Sequence, residues 1–195
     1  HLTKLIESGK PYASQIKGLL EGGKRAQWAW FNTSLNQRIS IVRQMLAKLG
    51  DTPVLAHVDD SEQILAAARQ QLLFVDRKLA KATELPGPTG ESNTLYLEAR
   101  GNLACVRCEH TSLRFWLISI VSALATGNCV LATTDPIFEN DANVIAQLLS
   151  DSGLPAGVFS VGTLAHLPTI LSDDNLAGAV VDNQCPMKKF IGEMI

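Results

Sequence analysis

Four cysteines, at positions 105, 108, 129 and 185, are the side chains of this 195-residue sequence best suited to act chemically by themselves. Cys105 and Cys108 are spaced C-x-x-C, the pattern of a metal clamp or a redox dithiol. Either use needs the two thiols to converge. The run NLACVRC that holds them (Asn102–Cys108) has strand composition, and residues three apart on a strand point to opposite faces. No second C-x-x-C is present to complete a zinc site. All four are therefore expected to be buried structural thiols, reduced as in a cytoplasmic protein, with no metal bound. His110 has no placed Cys or Asp partner and is expected to be a solvated loop residue. Trp28, Trp30 and Phe31 form an aromatic cluster ahead of the next helix. Packing is the expected role of that cluster, with a ligand cage as the alternative.

The stretch from Gly101 to Gly162 is what must position such groups. Asn102–Cys108 and Cys129–Thr133 read as strands, as does Val158–Val161. Between them lie an apolar helix over Ser112–Thr126 and an amphipathic one over Glu139–Ser152, with Val144, Ile145, Leu148 and Leu149 on one face. Leu176–Val181 reads as a fourth parallel strand after a short helix over His166–Leu171. Strands alternating with helices of this length imply βαβ units and a parallel, Rossmann-like α/β sheet with flanking helices.

Ahead of this unit the chain is helical. Residues 1–20 read as two short helices split at Gly9-Lys10-Pro11, with a turn at Glu21–Lys24. Leu35, Ile39, Val42, Leu46 and Leu49 make a single apolar stripe on a helix with N-cap candidates at Asn32-Thr33-Ser34. A longer helix runs from the Asp59-Asp60-Ser61 cap to about Lys81. The expected organisation is a helical segment (1–83) packing on the sheet domain, a Pro/Gly-rich connection (84–93) and the α/β unit (94–195). Within the last, Thr94–Glu98 is a strand and Lys188–Ile195 a helix. The chain begins at His1 rather than Met and is read as a piece of something longer.

Composition narrows the function classes. The chain is 46% hydrophobic and 18% charged, with a formal net charge of −2. No basic excess suggests nucleic acid. The longest apolar run, Phe115–Ala125, is too short to span a bilayer.

Two motifs carry a resemblance. Ala123-Leu124-Ala125-Thr126-Gly127-Asn128-Cys129-Val130-Leu131, after Arg100-Gly101-Asn102, is similar to the "PALAAGNxVV" run of the aldehyde dehydrogenase superfamily. Leu148–Phe159 (LLSDSGLPAGVF) looks like that superfamily's "LxxxAGLPxGVxxVV". The likeness covers about Leu95–Asp182, and more weakly the earlier helices with Trp30 and Arg38. The loop Leu85–Asn93 with Arg100-Gly101 resembles a stretch of the bacterial bifunctional proline-catabolic flavoproteins, the proline utilization A family. There it lies beyond the catalytic dehydrogenase domain.

The resemblance implies a non-catalytic aldehyde-dehydrogenase-like domain. Such a domain packs on the glutamate-semialdehyde dehydrogenase domain of the same polypeptide, seals the path of the intermediate and supports a homo-oligomer. NAD and FAD would belong to the parent protein, and none to this chain. Active relatives carry a Lys in a "KPSE"-like turn after the second strand, where Ala132-Thr133-Thr134-Asp135-Pro136 stands here. They carry Gly-Ser after the fourth strand, where Val181-Asp182-Asn183-Gln184 stands here. Thr133, Thr134, Asp182 and Asn183 are thus degenerate cofactor positions. Cys185 comes too soon after Asp182 to be the family's nucleophile, and no catalytic residue is assigned. The alternatives are the cofactor-binding half of an active NAD-dependent aldehyde dehydrogenase, which Thr133 and Asp182 oppose, and a small-molecule-binding α/β module.

Overall fold

The computed structural model describes residues 10–186, apart from residues 57, 80 and 81, together with residue 189. Three helices come first. Helix α1 spans Lys10–Asn32, α2 Leu35–Leu49, and α3 Ser61–Phe74, continuing into a π-helical turn over Val75–Leu79. A hairpin of β1 (Thr83–Leu85) and β2 (Asn93–Leu95) follows. The α/β unit then runs β3 (Asn102–Arg107), α4 (Leu113–Ala125), β4 (Cys129–Thr134), α5 (Glu139–Asp151), β5 (Phe159–Thr163), α6 (Leu167–Leu171) and β6 (Leu176–Val180). Strands β3 to β6 form one parallel sheet in the order β5-β4-β3-β6, as the alternating pattern predicts.

Helix α2 follows its stripe. Ile39, Val42, Leu46 and Leu49 are buried and Ser34 caps it by accepting from the Gln37 N–H. They join Trp116, Leu117 and Ile120 of α4 and Ile145 and Leu149 of α5 in one core on one face of the sheet. Ile16 and Leu20 of α1 pack with Ala104, Leu131 and Ile170 on the other face.

Three sequence expectations need correction. Residues 10–32 are one continuous helix, and Glu21–Lys24 is helical rather than a turn. Pro11 falls in the first turn, where proline is tolerated. Gly23 is explained by close approach instead. A Cβ on Gly23 would collide with the Asn102 side chain, whose Nδ2 donates to the Leu20 carbonyl. A Cβ on Gly157 (φ +85°) would lie 2.9 Å from the Gly22 carbonyl oxygen. Helix α1 thus rests with its backbone directly against the amino end of β3, an interior strand, and the turn before β5, and Gly23 and Gly157 serve that contact. The aromatic residues Trp28, Trp30 and Phe31 lie in the last turns of α1, just ahead of α2 as expected.

The third correction concerns the Pro/Gly-rich stretch. Its two ends pair with each other, Thr83 with Leu95 and Leu85 with Asn93, so the strand expected over Thr94–Glu98 ends at Leu95. A turn closed by the Glu91 N–H on the Pro88 carbonyl, with Gly90 at φ +97°, folds the ribbon back. The first of the two short helices expected within residues 1–20, ahead of Gly9, the end of the third helix near Lys81, and all but Lys189 of the helix expected over Lys188–Ile195 lie outside the described residues.

Candidate functional site at the carboxyl ends of the strands

The strand order reverses at β3. The chain steps from β3 to β4 to β5 on one side, then returns to place β6 on the other. In open parallel sheets the crevice beyond the carboxyl ends at such a switch point is the usual ligand position. Here three segments bound it: Cys108–Ser112 after β3, Asp135–Phe138 after β4, and Val181–Pro186 after β6.

Helix α4 points its amino end into this region. Ser112 caps it, accepting from the Phe115 N–H at 3.1 Å. The Ser112 N–H itself donates to Asp182 Oδ2 at 3.4 Å, and Asp182 Oδ1 accepts from the Gln184 N–H at 3.0 Å. A carboxylate of the protein therefore stands at the positive end of the helix, where an anionic ligand would otherwise be drawn.

On the α4–α5 face of the sheet the end of β3 is filled by Arg107. Residues 103, 105 and 107 alternate onto the α4–α5 face, so Arg107 is carried into the core and is almost wholly buried. Its guanidinium meets Asp141 of α5 at 2.7 Å and lies 3.9 Å from the Phe138 ring centroid and 5.0 Å from that of Trp116. Burial pulls the Arg107 pKa below its ordinary value, and the hydrogen bond and charge of Asp141 oppose that shift. Trp116 is fixed in turn by its Nε1–H on the Cys105 carbonyl at 3.1 Å. The Arg107 Nε and the neighbouring Thr134 Oγ1 are buried without a hydrogen-bond partner.

The four positions expected from the sequence to be degenerate cofactor sites do not converge. Thr133 and Thr134 are both buried, but alternation puts them on opposite faces of β4, and the Thr133 hydroxyl donates to the Leu131 carbonyl at 3.4 Å. Asp182 and Asn183 follow β6, so β3 stands between the two pairs, a separation of about 10 Å from two strand spacings. Arg107 and Asp141 were missed by sequence reasoning, although the alternation within NLACVRC already placed Arg107 on the same face as Cys105.

The cysteines are buried. Cys105 belongs to the main core and Cys108 to a small cluster on the α6 face, the opposite-face placement that strand alternation predicts. Burial pushes the Cys105 and Cys129 thiols up to about 12. Of the aromatic cluster, Trp30 is fully buried, whereas Trp28 is 77% exposed. Trp28 and Phe31 line a cavity of about 540 Å³ with Lys24, Arg100 and Asp174, which opens at the amino ends of β3 and β6, away from the switch point.

The superfamily-like runs have structural duties. Gly127 (φ +88°) ends α4, and the Asn128 Oδ1 accepts from the Arg100 and Gly101 N–H groups at 2.7 and 3.1 Å. Gln27 of α1 spans the same turn, donating to the Gly127 carbonyl and accepting from the Cys129 N–H.

Comparison with known proteins places this architecture. No family model matches the sequence. The chain is 22% identical to vanillin dehydrogenase of Corynebacterium glutamicum, with 97% of this chain and 43% of that protein covered. A variant of proline utilization A from Bradyrhizobium japonicum superposes with a TM-score of 0.74 and 23% identity, over 87% of this chain and 19% of that one. An NAD-dependent benzaldehyde dehydrogenase from Corynebacterium glutamicum gives a TM-score of 0.76 and 18% identity, over 93% and 43%. The chain thus spans less than half of the curated relative and about a fifth of the proline utilization A chain. It is a partial aldehyde-dehydrogenase-fold domain, similar in structure to part of proline utilization A.

Proposed function

We propose that this chain is a non-catalytic structural and interaction domain of a bifunctional enzyme that converts proline to glutamate. In this reading it docks on the glutamate-semialdehyde dehydrogenase domain of the same cytoplasmic polypeptide, seals the path of the intermediate and supports a homo-oligomer. The observation that carries it is the Asp182 carboxylate on the amino end of α4. A dinucleotide pyrophosphate drawn to that crevice would meet a negative charge and a helix end already engaged. With Arg107 held by Asp141 and Phe138, the residues present do not fit NAD, and no catalytic, cofactor-binding or metal-binding residue is assigned.

The β1–β2 hairpin supplies the docking element. Every residue from 82 to 98 is exposed, including Leu85, Leu95, Leu97 and Tyr96, the last by 65%. A two-stranded ribbon with an apolar row in water is marginal alone and is stabilised by pairing with another surface. Among the described residues no helix is long and apolar enough to cross a membrane. The alternative, a cofactor-binding half of an active NAD-dependent aldehyde dehydrogenase, draws on the benzaldehyde dehydrogenase likeness.

Charging the ribbon tests the proposal. In the whole protein, Leu95→Glu combined with Tyr96→Glu is expected to reduce the assembly to smaller species by sedimentation. It should also introduce a lag in glutamate formation from proline, while leaving the fold of this domain intact because both side chains are exposed. Unaltered assembly and unaltered coupling would overturn the docking role.

A further inference from the structure

Two buried thiols have no part in the reading above. Cys108 follows the last residue of β3, and Cys185 lies in the turn after β6, the strand hydrogen-bonded to β3. Far apart in sequence, they are brought together by the return of β6 across the switch point. With Val106, Leu167 and Leu171 they form a small apolar cluster separate from the main core. Within it the Cys108 thiol hydrogen-bonds Cys185 and lies 3.2 Å from the Thr111 hydroxyl. Cys105 and Cys129, by contrast, belong to the main core.

We infer that Cys108 and Cys185 are a redox-active dithiol, a site at which a hydroperoxide converts the pair into a disulfide tying the segment after β6 to the β3–α4 loop. The reacting form is favoured at one of the two sulfurs. Burial alone would raise the Cys108 thiol, but hydrogen bonds from Cys185, Thr111 and the backbone N–H groups of His110 and Thr111 outweigh it and leave the thiol below its ordinary value. Cys105 and Cys129 have no such partners offsetting burial and stay protonated.

The Cys108 thiolate attacks the terminal oxygen of the hydroperoxide. The O–O bond breaks, and the departing alkoxide takes up the proton the thiol gave, leaving an alcohol and a sulfenic acid at Cys108. The Cys185 sulfur then attacks Cys108, the S–S bond forms, the S–O bond breaks and water leaves with the Cys185 proton. Two electrons pass from the two thiols to the peroxide. Cys185 lies between exposed Gln184 and Pro186, so a local opening of that turn admits a molecule as small as hydrogen peroxide.

Oxidation of the purified protein with hydrogen peroxide, followed by alkylation under denaturing conditions and peptide mapping, tests the inference. The expected result is loss of two of the four thiols, a mass decrease of two hydrogens, and a single linked peptide pair joining Cys108 to Cys185. Cys185→Ser should instead halt at an oxygenated Cys108, and Cys105→Ser should form the disulfide as the parent does. Mapping of the unsubstituted protein decides the matter even where a variant folds poorly. Four free thiols after treatment, or oxidation confined to Cys105, Cys129 or links between chains, would overturn it.

Discussion

Replacing Arg38 by alanine is expected to destabilise the fold by about 3–4 kcal/mol, from three or more lost charge-assisted hydrogen bonds in a buried setting. In a domain of this size that corresponds to a fall in Tm of roughly 10 °C. Arg38 reaches from α2 to the carboxyl ends of two other helices. Its Nη1 donates to the Phe31 and Thr33 carbonyls at 2.6 and 2.8 Å, at the end of α1. Its Nε donates to the Ala125 carbonyl, at the end of α4, at 3.1 Å. Helix ends carry unpaired carbonyls and partial negative charge, so one cation satisfies two of them together. The opposing term is desolvation, which pulls the Arg38 pKa below its ordinary value. Arg38→Lys keeps the charge without the planar fork and should lose about half as much. Thermal unfolding of the three proteins checks the order; equal stability of Arg38→Ala and the parent would contradict it.

Breaking the Arg107–Asp141 pair is expected to be comparably severe. Asp141→Ala leaves a guanidinium that is almost wholly buried facing only the Phe138 and Trp116 rings, at a cost of about 3 kcal/mol. Arg107→Met should cost less, because an apolar side chain of similar length fills the space between the rings while Asp141 keeps some access to water. The double variant is therefore expected to be about as stable as Arg107→Met alone, a coupling of roughly 2–3 kcal/mol in a double-mutant cycle. Additive losses in urea titrations would mean that the pair is not coupled and that Arg107 does not plug the strand end as described.

Much of the frame was legible because it rests on local rules. Ser34 caps α2, the α2 stripe is buried, and strands alternate with helices into one parallel sheet. The failures share a cause in contacts distant along the chain. Gly22-Gly23 look like a turn until Asn102 is placed against Gly23, since a glycine required for close approach reads like one required for φ. Residues 83–85 show no strand signal alone, and they become β1 only by pairing with residues beyond two prolines. The same holds at the candidate site. Asp182 was visible as a charge in the wrong position, but its contact with the Ser112 N–H depends on β6 returning beside β3. Arg107 and Asp141 are far apart in sequence, and no periodicity could have joined them.

The proposed function requires that Asp182, at the amino end of α4, keep a dinucleotide out of the crevice, and titration with NAD tests that requirement most directly. Ligand at a tenfold excess over its Kd stabilises a folded protein by about 1.4 kcal/mol, or roughly 3–5 °C in a domain of this size. With NAD raised to millimolar levels the Tm is expected to stay flat, and calorimetry to register no saturable heat. A saturable rise of several degrees, with a matching binding isotherm, would contradict the account.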